Sequence, residues 1–274
     1  MAAHGVTTSP ATSGERRPRT RSPLRTVAVP TEHGGWSLTA EPALLGLLVA
    51  PSGAGLALAV AAMVAFVART PLKVVLVDRW RGRWLERSRL AAGVLAAEGA
   101  LIVALLAVAW VTAERPFWLP LLAASPLVVL ELWFDMRSRS RRLLPELAGT
   151  VGIGSVAAAV ALAGGEATTV AWGLWAVVAA RGGASVPHVR TQVLRLHGRP
   201  APTWHSDLAQ VAGAAVVVAG WWLDAVPPAA AAAVAVVAAL NLAMVRAAPK
   251  PAKVIGLQQT LLGVAVVVVT ALAA

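Results

Sequence analysis

The chain has 274 residues, of which 58% are hydrophobic and 14% are charged, and its formal net charge at pH 7 is +11. A soluble domain carries about 25% charged residues, so this chain has too little polar material for a water-exposed surface, and its composition is that of helices in lipid. Because the sequence contains no cysteine, disulfides, thiolate metal sites and cysteine nucleophiles are excluded.

Lysine and arginine are distributed so that one threading through a membrane places 23 of the 24 on the same side, with Arg115 opposite. They occur before residue 36 and in the ranges 69–89, 137–142, 181–199 and 246–253. Basic loops stay in the cytoplasm, where the leaflet is anionic. We therefore interpret the net charge as a topology signal, and we expect no nucleic-acid partner.

Residues 1–29 are rich in Ser, Thr, Pro and Arg and contain no apolar run. A signal peptide needs an apolar segment of about 7–15 residues, so we predict a disordered basic cytoplasmic tail. The alternative is a basic arm that rests on anionic lipid. Residues 30–274 are predicted to form a single transmembrane domain.

The first apolar block runs from Trp36 to Ala68. As one helix it would be roughly 50 Å long, against a hydrocarbon core of about 30 Å, and the segment Pro51–Gly55 would break it. Two helices are therefore predicted here. The remaining predicted spans are 90–112, 116–134, 144–163, 168–181, 207–223, 228–246 and 254–273.

This pattern predicts an all-α, polytopic bundle of about nine transmembrane helices in the bacterial inner (plasma) membrane. The N-terminus is expected in the cytoplasm and the C-terminus outside. In the fifth span, Gly149, Gly152, Gly154 and Ser155 indicate a close approach of neighbouring helices.

The entry to the first helix is the first polar candidate. Glu32 and His33 precede Gly34 and Gly35, and Glu41 follows inside the helix. Glu32 and His33 are the residue types of an acid/base pair or of metal ligands, since imidazole titrates near neutrality. The alternative is a capped helix entry with Trp36 at the membrane interface.

Carboxylates within the spans are the second group. An ionised carboxylate in a membrane is costly, so it usually faces a cavity or a cation. We predict catalytic roles for Glu41, Glu98 and Glu131, together with Glu32 and His33. Asp135 and Glu146 are predicted to bind substrate. The alternatives are an ion pair of Asp135 with Arg137 or Arg139, and helix N-terminal stabilisation by Glu146.

A basic loop is predicted from Arg181 to Asp207, and it contains His188, Arg190 and Arg195. Arginine side chains bind phosphate or carboxylate. Arg190 and Arg195, together with His188 in the same segment, are therefore predicted to bind substrate. As topology signals alone, they would need no such role. The histidines lack zinc-motif spacing; no metal site is predicted, and the cofactor is left unknown.

The opening segment of the predicted domain resembles that of the YwiC-like family of bacterial membrane proteins. The resemblance would cover residues 30–274. It rests on Pro30–Trp36, Glu41-Pro42, Leu44–Gly46, Thr70–Lys73, Leu143–Gly149 and Ser185–Arg190. It implies a multi-pass membrane protein of undefined activity and assigns no catalytic residues.

The predicted architecture also resembles that of the UbiA-type prenyltransferases, which bind a prenyl diphosphate through Mg²⁺ and Asp-rich motifs. This chain departs from the motifs, because it has only Asp78 after the second helix and Asp207 late in the later loop.

The leading hypothesis is a cytoplasm-facing cavity that binds or modifies an isoprenoid-type amphipathic molecule with an anionic head. The alternatives are a small-solute or proton-coupled transporter and a non-catalytic membrane assembly protein; whether the protein is an enzyme, and its oligomeric state, are left open.

Overall fold

The computed structural model describes residue 28, residue 30 and residues 33–274, and this part of the chain contains nine α-helices and no strand. The prediction of an all-α bundle is confirmed. The predicted tail lies outside the described residues apart from residue 28. The helices are α1 (His33–Val49), α2 (Gly53–Trp80), α3 (Glu86–Thr112), α4 (Trp118–Met136), α5 (Leu143–Ala163), α6 (Thr168–Leu196), α7 (Trp204–Trp222), α8 (Pro228–Met244) and α9 (Ala252–Ala273).

The predicted break in the first apolar block is confirmed. Helix α1 ends at Val49, and α2 begins at Gly53. The hydroxyl of Ser52 accepts a hydrogen bond from the backbone N–H of Gly55 at 2.9 Å. Because this bond satisfies one of the free N–H groups in the first turn, it fixes the start of α2.

Two of the predicted polar loops are wrong, because helix continues through them. Helix α2 extends to Trp80, well into the segment expected to form a loop after Ala68. Helix α6 extends to Leu196, although the span was predicted to end at residue 181. In both helices several of the polar side chains that lower the hydropathy contact neighbouring helices, such as Arg69, which pairs with Asp135 on α4, and Arg181, which pairs with Glu41 on α1.

The connections rich in arginine and lysine meet at one end of the bundle, which we call the basic end. The Lys73 ammonium donates to the hydroxyl of Ser140 at 2.6 Å. Arg190 donates to the carbonyl of Arg141 at 3.0 Å. These two contacts join the inner part of α2 and the last turns of α6 to the α4–α5 connection.

The same end includes the contacts of the C-terminal helices. The Arg246 guanidinium, just after α8, contacts the Asp207 carboxylate at the start of α7 at 3.0 Å. At the opposite end, Arg115 donates to the carbonyl of Gly165 at 2.8 Å. These contacts indicate that successive helices alternate in direction between the two ends of the bundle.

Helix α5 lies at the centre of the bundle. It packs against α1, α2, α4 and α6, while α3 packs chiefly on α2 at the periphery. Helices α7, α8 and α9 pack on the far side of α6, and α9 also contacts α1. The centre of the bundle is therefore α1, α5 and α6, with one group of three helices on each side.

The close approach predicted for the small residues of α5 is confirmed. A Cβ at Gly154 would be 3.1 Å from the ring of Trp175 on α6. The Trp175 indole N–H donates to the carbonyl of Val151 at 2.8 Å. Because glycine has no side chain, the large ring of Trp175 reaches the α5 backbone.

Five of the described helices are long and apolar enough to cross a membrane: α2, α3, α4, α5 and α9. Shorter apolar helices occupy Gly35–Val49 and Pro228–Met244. Large apolar side chains such as Val111, Trp222 and Leu272 are exposed on the outer surface, as expected where lipid tails cover a bundle. The fold is that of a membrane protein.

Packing at Gly46 gives a test of the central helices. A Cβ at Gly46 on α1 would lie 2.6 Å from Cβ of Val160 and 2.8 Å from the carbonyl oxygen of Ala157, both on α5. We expect Gly46→Ala to lower the free energy of unfolding by about 1–3 kcal/mol, because the helices must separate. The measurement is thermal or denaturant unfolding of the purified protein in detergent.

Gly93→Ala is the matched control. Gly93 lies in the peripheral α3, and a Cβ there would have no neighbour within 4 Å. We expect this change to leave stability unchanged or to raise it by up to about 1 kcal/mol, from helix propensity. Equal effects of the two substitutions would contradict the packing of α1 on α5.

Candidate functional site

A buried ion pair joins the first helix of the bundle to the sixth. The Arg181 guanidinium on α6 donates to the Glu41 carboxylate on α1 at 2.9 Å, and their side chains are 3% and 8% exposed. A second Arg181 nitrogen donates to the carbonyl of Gln259 on α9. A Cβ at Gly263 would collide with the Glu41 carboxylate. The pair therefore lies where α1, α6 and α9 meet.

Amide side chains extend this contact across the C-terminal helices. Gln259 donates to the Asn241 side chain on α8 at 2.9 Å, and Asn241 contacts Gln210 on α7 at 3.3 Å. Gln210 in turn donates to the carbonyl of Ala184 on α6 at 2.8 Å. Together with the ion pair, these bonds link five helices. We call this set the Glu41–Gln210 network: Glu41, Arg181, Gln210, Asn241 and Gln259.

Three buried atoms of this network have no hydrogen-bond partner within the described part of the chain: Oε1 of Glu41, Nε of Arg181 and Oε1 of Gln259. A buried polar atom without a partner costs about 1–3 kcal/mol. Such atoms in a folded protein call for an explanation, commonly a ligand or ordered water. The network therefore has both donor and acceptor capacity left over.

A second polar cluster lies between α2 and α4. Arg69 contacts the Glu131 carboxylate at 2.8 Å and the Asp135 carboxylate at 2.9 Å. The Lys73 ammonium lies 3.6 Å from Asp135. Glu131 and Asp135 thus share one face of α4, as their spacing of four requires. We call these four residues the Arg69 cluster.

The alternative prediction for Asp135, an ion pair with Arg137 or Arg139, is wrong in its partners. Asp135 pairs with Arg69 and Lys73 of α2, and its side chain is fully enclosed. The guanidinium of Arg137 instead lies over the Trp133 ring, 4.0 Å from its centre. The backbone turn after α4 carries Arg137 outward, while Asp135 faces α2.

The two polar groups flank the central helix at the same level. A Cβ at Gly149 on α5 would collide with the Glu131 carboxylate. At the next residue, the methyl group of Thr150 would lie 2.9 Å from a Cβ at Gly182, adjacent to Arg181. The Arg69 cluster and the Glu41–Gln210 network are therefore separated by α5.

The other predicted catalytic residues lie apart from these groups. Glu98 is on the peripheral α3, where one carboxylate oxygen is buried without a partner in the described part of the chain. Glu32 lies outside the described residues. His33 is the first residue of α1, and only its backbone is described. The catalytic roles of Glu32, His33, Glu41, Glu98 and Glu131 stay predictions.

The predicted substrate-binding residues of α6 are in helical turns rather than in a loop. Glu146, in the first turn of α5, lies 3.6 Å from Arg190. Arg195 donates to the carbonyl of Val245, just after α8. His188 is almost fully buried, 2% exposed, and its Nδ1 atom has no partner among the described residues. Their roles in substrate binding stay predictions.

A pocket of about 400 Å³ opens at the basic end beside the Arg69 cluster. It is lined by basic and hydroxyl side chains from α2 and from the α4–α5 connection: Lys73, Ser138, Arg139, Ser140, Arg141 and Arg142. Ser138 has a positive φ of 56°, which turns the chain sharply after α4. Four of the pocket's six lining residues are lysine or arginine, side chains that can form charge-assisted hydrogen bonds with an anion. The described residues contain no cluster of three or more His, Asp or Glu side chains that could hold a metal ion.

Sequence reasoning missed the partners of the predicted carboxylates. The sequence places Arg181 only at the junction of the predicted sixth span and the basic loop, and it indicates Arg69 only as a topology signal. Asn241 and Gln259 are polar residues within otherwise apolar helices. That contrast was the available signal, because an amide inside a lipid-embedded helix usually finds a partner in the bundle.

The fold and the buried polar groups together define a multi-pass membrane protein. Residues 29–161 match the family model described as YwiC-like protein. The resemblance to the YwiC-like family is thereby confirmed over this range, which ends within α5. No match was found among curated proteins or among solved structures.

Breaking the buried pair gives a test of its geometry. We expect Glu41→Gln and Arg181→Met each to lower the free energy of unfolding by about 3–5 kcal/mol, because each leaves a buried group without its partner. The double variant should recover much of this loss. The measurement is unfolding of all four proteins in detergent, analysed as a double-mutant cycle.

Arg246→Met is the control for this cycle, because Arg246 forms an exposed pair with Asp207, with side chains 57% and 24% exposed. Its loss should cost less than about 1 kcal/mol. If Glu41→Gln and Arg181→Met were as mild as this control, the buried pair would not exist in the folded protein.

Proposed function

We propose that the chain crosses the inner (plasma) membrane nine times, with the N-terminus and the basic end in the cytoplasm. The arrangement is a UbiA-like bundle in this proposal. It is supported by the convergence of the lysine- and arginine-rich connections at one end, through contacts such as those of Lys73, Arg190 and Arg246. Positive charge on connections marks the cytoplasmic side.

The proposed function is the binding of an isoprenoid-type amphipathic molecule by its anionic head at the basic end. The pocket beside Arg139 and Arg142 is the observation that carries this proposal. Guanidinium groups form charge-assisted hydrogen bonds with phosphate and carboxylate. The apolar surfaces of α2 and α4 lead from this end into the lipid, where a long tail would lie.

If the bound head group is chemically modified, residues of the nearby Arg69 cluster would carry out the reaction. Lys73 joins the two sites, since it lines the pocket, donates to Ser140 and lies 3.6 Å from Asp135. The Glu131 carboxylate is also nearby, because Arg69 contacts both Glu131 and Asp135. In this proposal Glu131 and Asp135 are the carboxylates nearest to the head, behind the basic residues that line the pocket.

A proton-coupled carrier is the second candidate. The observation in its favour is the Glu41–Gln210 network, which places an ion pair and three amide side chains inside the bundle. Ionisable groups inside a membrane protein commonly mark a path for protons or ions. Uptake of a solute by proteoliposomes, with no specific lipid bound, would favour this candidate over the first.

The topology is tested by reporters at the two ends. We expect a tag at the N-terminus to be protected in sealed right-side-out vesicles and a tag at the C-terminus to be digested by added protease. An odd number of crossings requires this difference. A tag placed after Gly164, between α5 and α6, should behave like the C-terminal one; both ends on the same side would contradict nine crossings.

Binding is tested on the pocket arginines. We expect lipid extracts of the purified protein to contain one enriched anionic isoprenoid lipid, detected by mass spectrometry. The double variant Arg139→Gln, Arg142→Gln should lose about tenfold or more of it, since each lost charged hydrogen bond is worth about 1.5–3 kcal/mol. The control Arg199→Gln, Lys250→Gln removes two charges from the same end but none from the pocket. Equal losses in both variants would contradict the pocket assignment.

A further inference from the structure

Helix α6 has a line of polar residues along one face. The residues are Arg181, Ser185, His188, Gln192 and Arg195, and their spacing alternates between four and three. Residues at this spacing lie above one another on the same helical face. We call this line the polar stripe. At 1.5 Å per residue it extends over about 21 Å of the helix.

The stripe is buried against the C-terminal helices. Arg181, Ser185, His188 and Gln192 are each between 2% and 5% exposed. Arg181 donates to the carbonyl of Gln259 on α9, and Gln192 donates to the carbonyl of Met244 at the end of α8. The stripe therefore lies in the groove between α6 and the pair α8–α9, from the basic end to the level of Glu41.

Three of the five residues of the stripe have a buried polar atom without a partner among the described residues. Within the described part of the chain, no partner is present for Nε of Arg181, Nδ1 of His188 or Oε1 of Gln192. Oε1 of Glu41 and Oε1 of Gln259 are unpartnered beside its inner end. A purely structural seam would satisfy its own donors and acceptors. Atoms left over at intervals of one or two helical turns are hydrogen-bonding sites for a chain of water molecules.

Few charged groups lie on the helices that enclose this groove. Glu41 is paired with Arg181, Glu146 of α5 lies beside Arg190, and Asp207 of α7 pairs with Arg246. Helix α8 has no titratable residue, and α9 has only Lys253 at its first turn. Glu41 is therefore the carboxylate at the inner end of the stripe, and His188 is the titratable group between it and the basic end.

We infer that the polar stripe of α6 is a hydrated path that carries water and protons between the basic end and the Glu41–Arg181 pair. The path is a site distinct from the anion-binding pocket. It lies on the other side of α5 from the Arg69 cluster. It does not depend on whether that pocket binds a lipid.

Cysteine accessibility tests this path directly, because the chain contains no native cysteine. Ser185→Cys places a thiol on the stripe, one turn from Arg181. Ser155→Cys on α5 is a matched control, because Ser155 is also buried and its hydroxyl, like that of Ser185, donates to the carbonyl three residues earlier at 2.7 Å. Both full-length variants are reacted with 2-aminoethyl methanethiosulfonate, which consumes the thiolate and therefore needs water at the sulfur.

We expect Ser185→Cys to react at least about tenfold faster than Ser155→Cys, since thiolate forms only where water reaches the thiol. In sealed vesicles, with free cysteine trapped as a scavenger on one side, the reagent should reach Ser185→Cys from the basic end. Complete reaction of both variants in sodium dodecyl sulfate checks that each thiol is intact.

Equal slow reaction of the two thiols, or reaction of Ser185→Cys from the opposite end only, would overturn the inference. If Ser185→Cys is not monodisperse in detergent, Gln192→Cys replaces it. Its control is Val177→Cys, a fully buried apolar position on the same helix. Equal slow reaction of these two thiols, or reaction of Gln192→Cys from the opposite end only, would likewise overturn the inference.

Discussion

The arrangement of the bundle depends on one buried contact, the ion pair between Glu41 and Arg181. Two charges taken out of water are stable only if they meet in good geometry and bind further partners. Arg181 meets this condition through Glu41 on α1 and the Gln259 carbonyl on α9. The pair therefore fixes three helices relative to one another, at a level where apolar packing alone would permit sliding.

Helix α5 divides the polar interior into two parts because its small residues let the neighbours approach from both sides. Gly149 accommodates the Glu131 carboxylate, and Thr150 faces Gly182 beside Arg181. One side leads to a basic pocket open at the surface, and the other leads into a network of buried side chains. This division is the reason for assigning anion binding to the first side and a path for water and protons to the second.

The helices could be predicted from the sequence because their signals are local. Apolar runs, the Pro51–Gly55 break and the basic connections predict nine helices, and residues 33–274 contain nine in the same order. The ends of α2 and α6 could not be predicted in this way. Their inner turns are polar, and hydropathy cannot distinguish a polar loop from a helix whose polar side faces other helices. In α6 the spacing of Arg181, Ser185, His188, Gln192 and Arg195 contained the missing signal.

The sequence by itself determined that the chain forms apolar helices suited to a membrane and that residues 29–161 are similar to the YwiC-like family, because these properties follow from composition and order along the chain. Only the tertiary structure decided which charges meet. Glu41 and Arg181 are 140 residues apart, and Arg69 and Asp135 are 66 apart. Such pairs depend on which helices pack together and at what level, and the periodicity of a single helix contains no information about either.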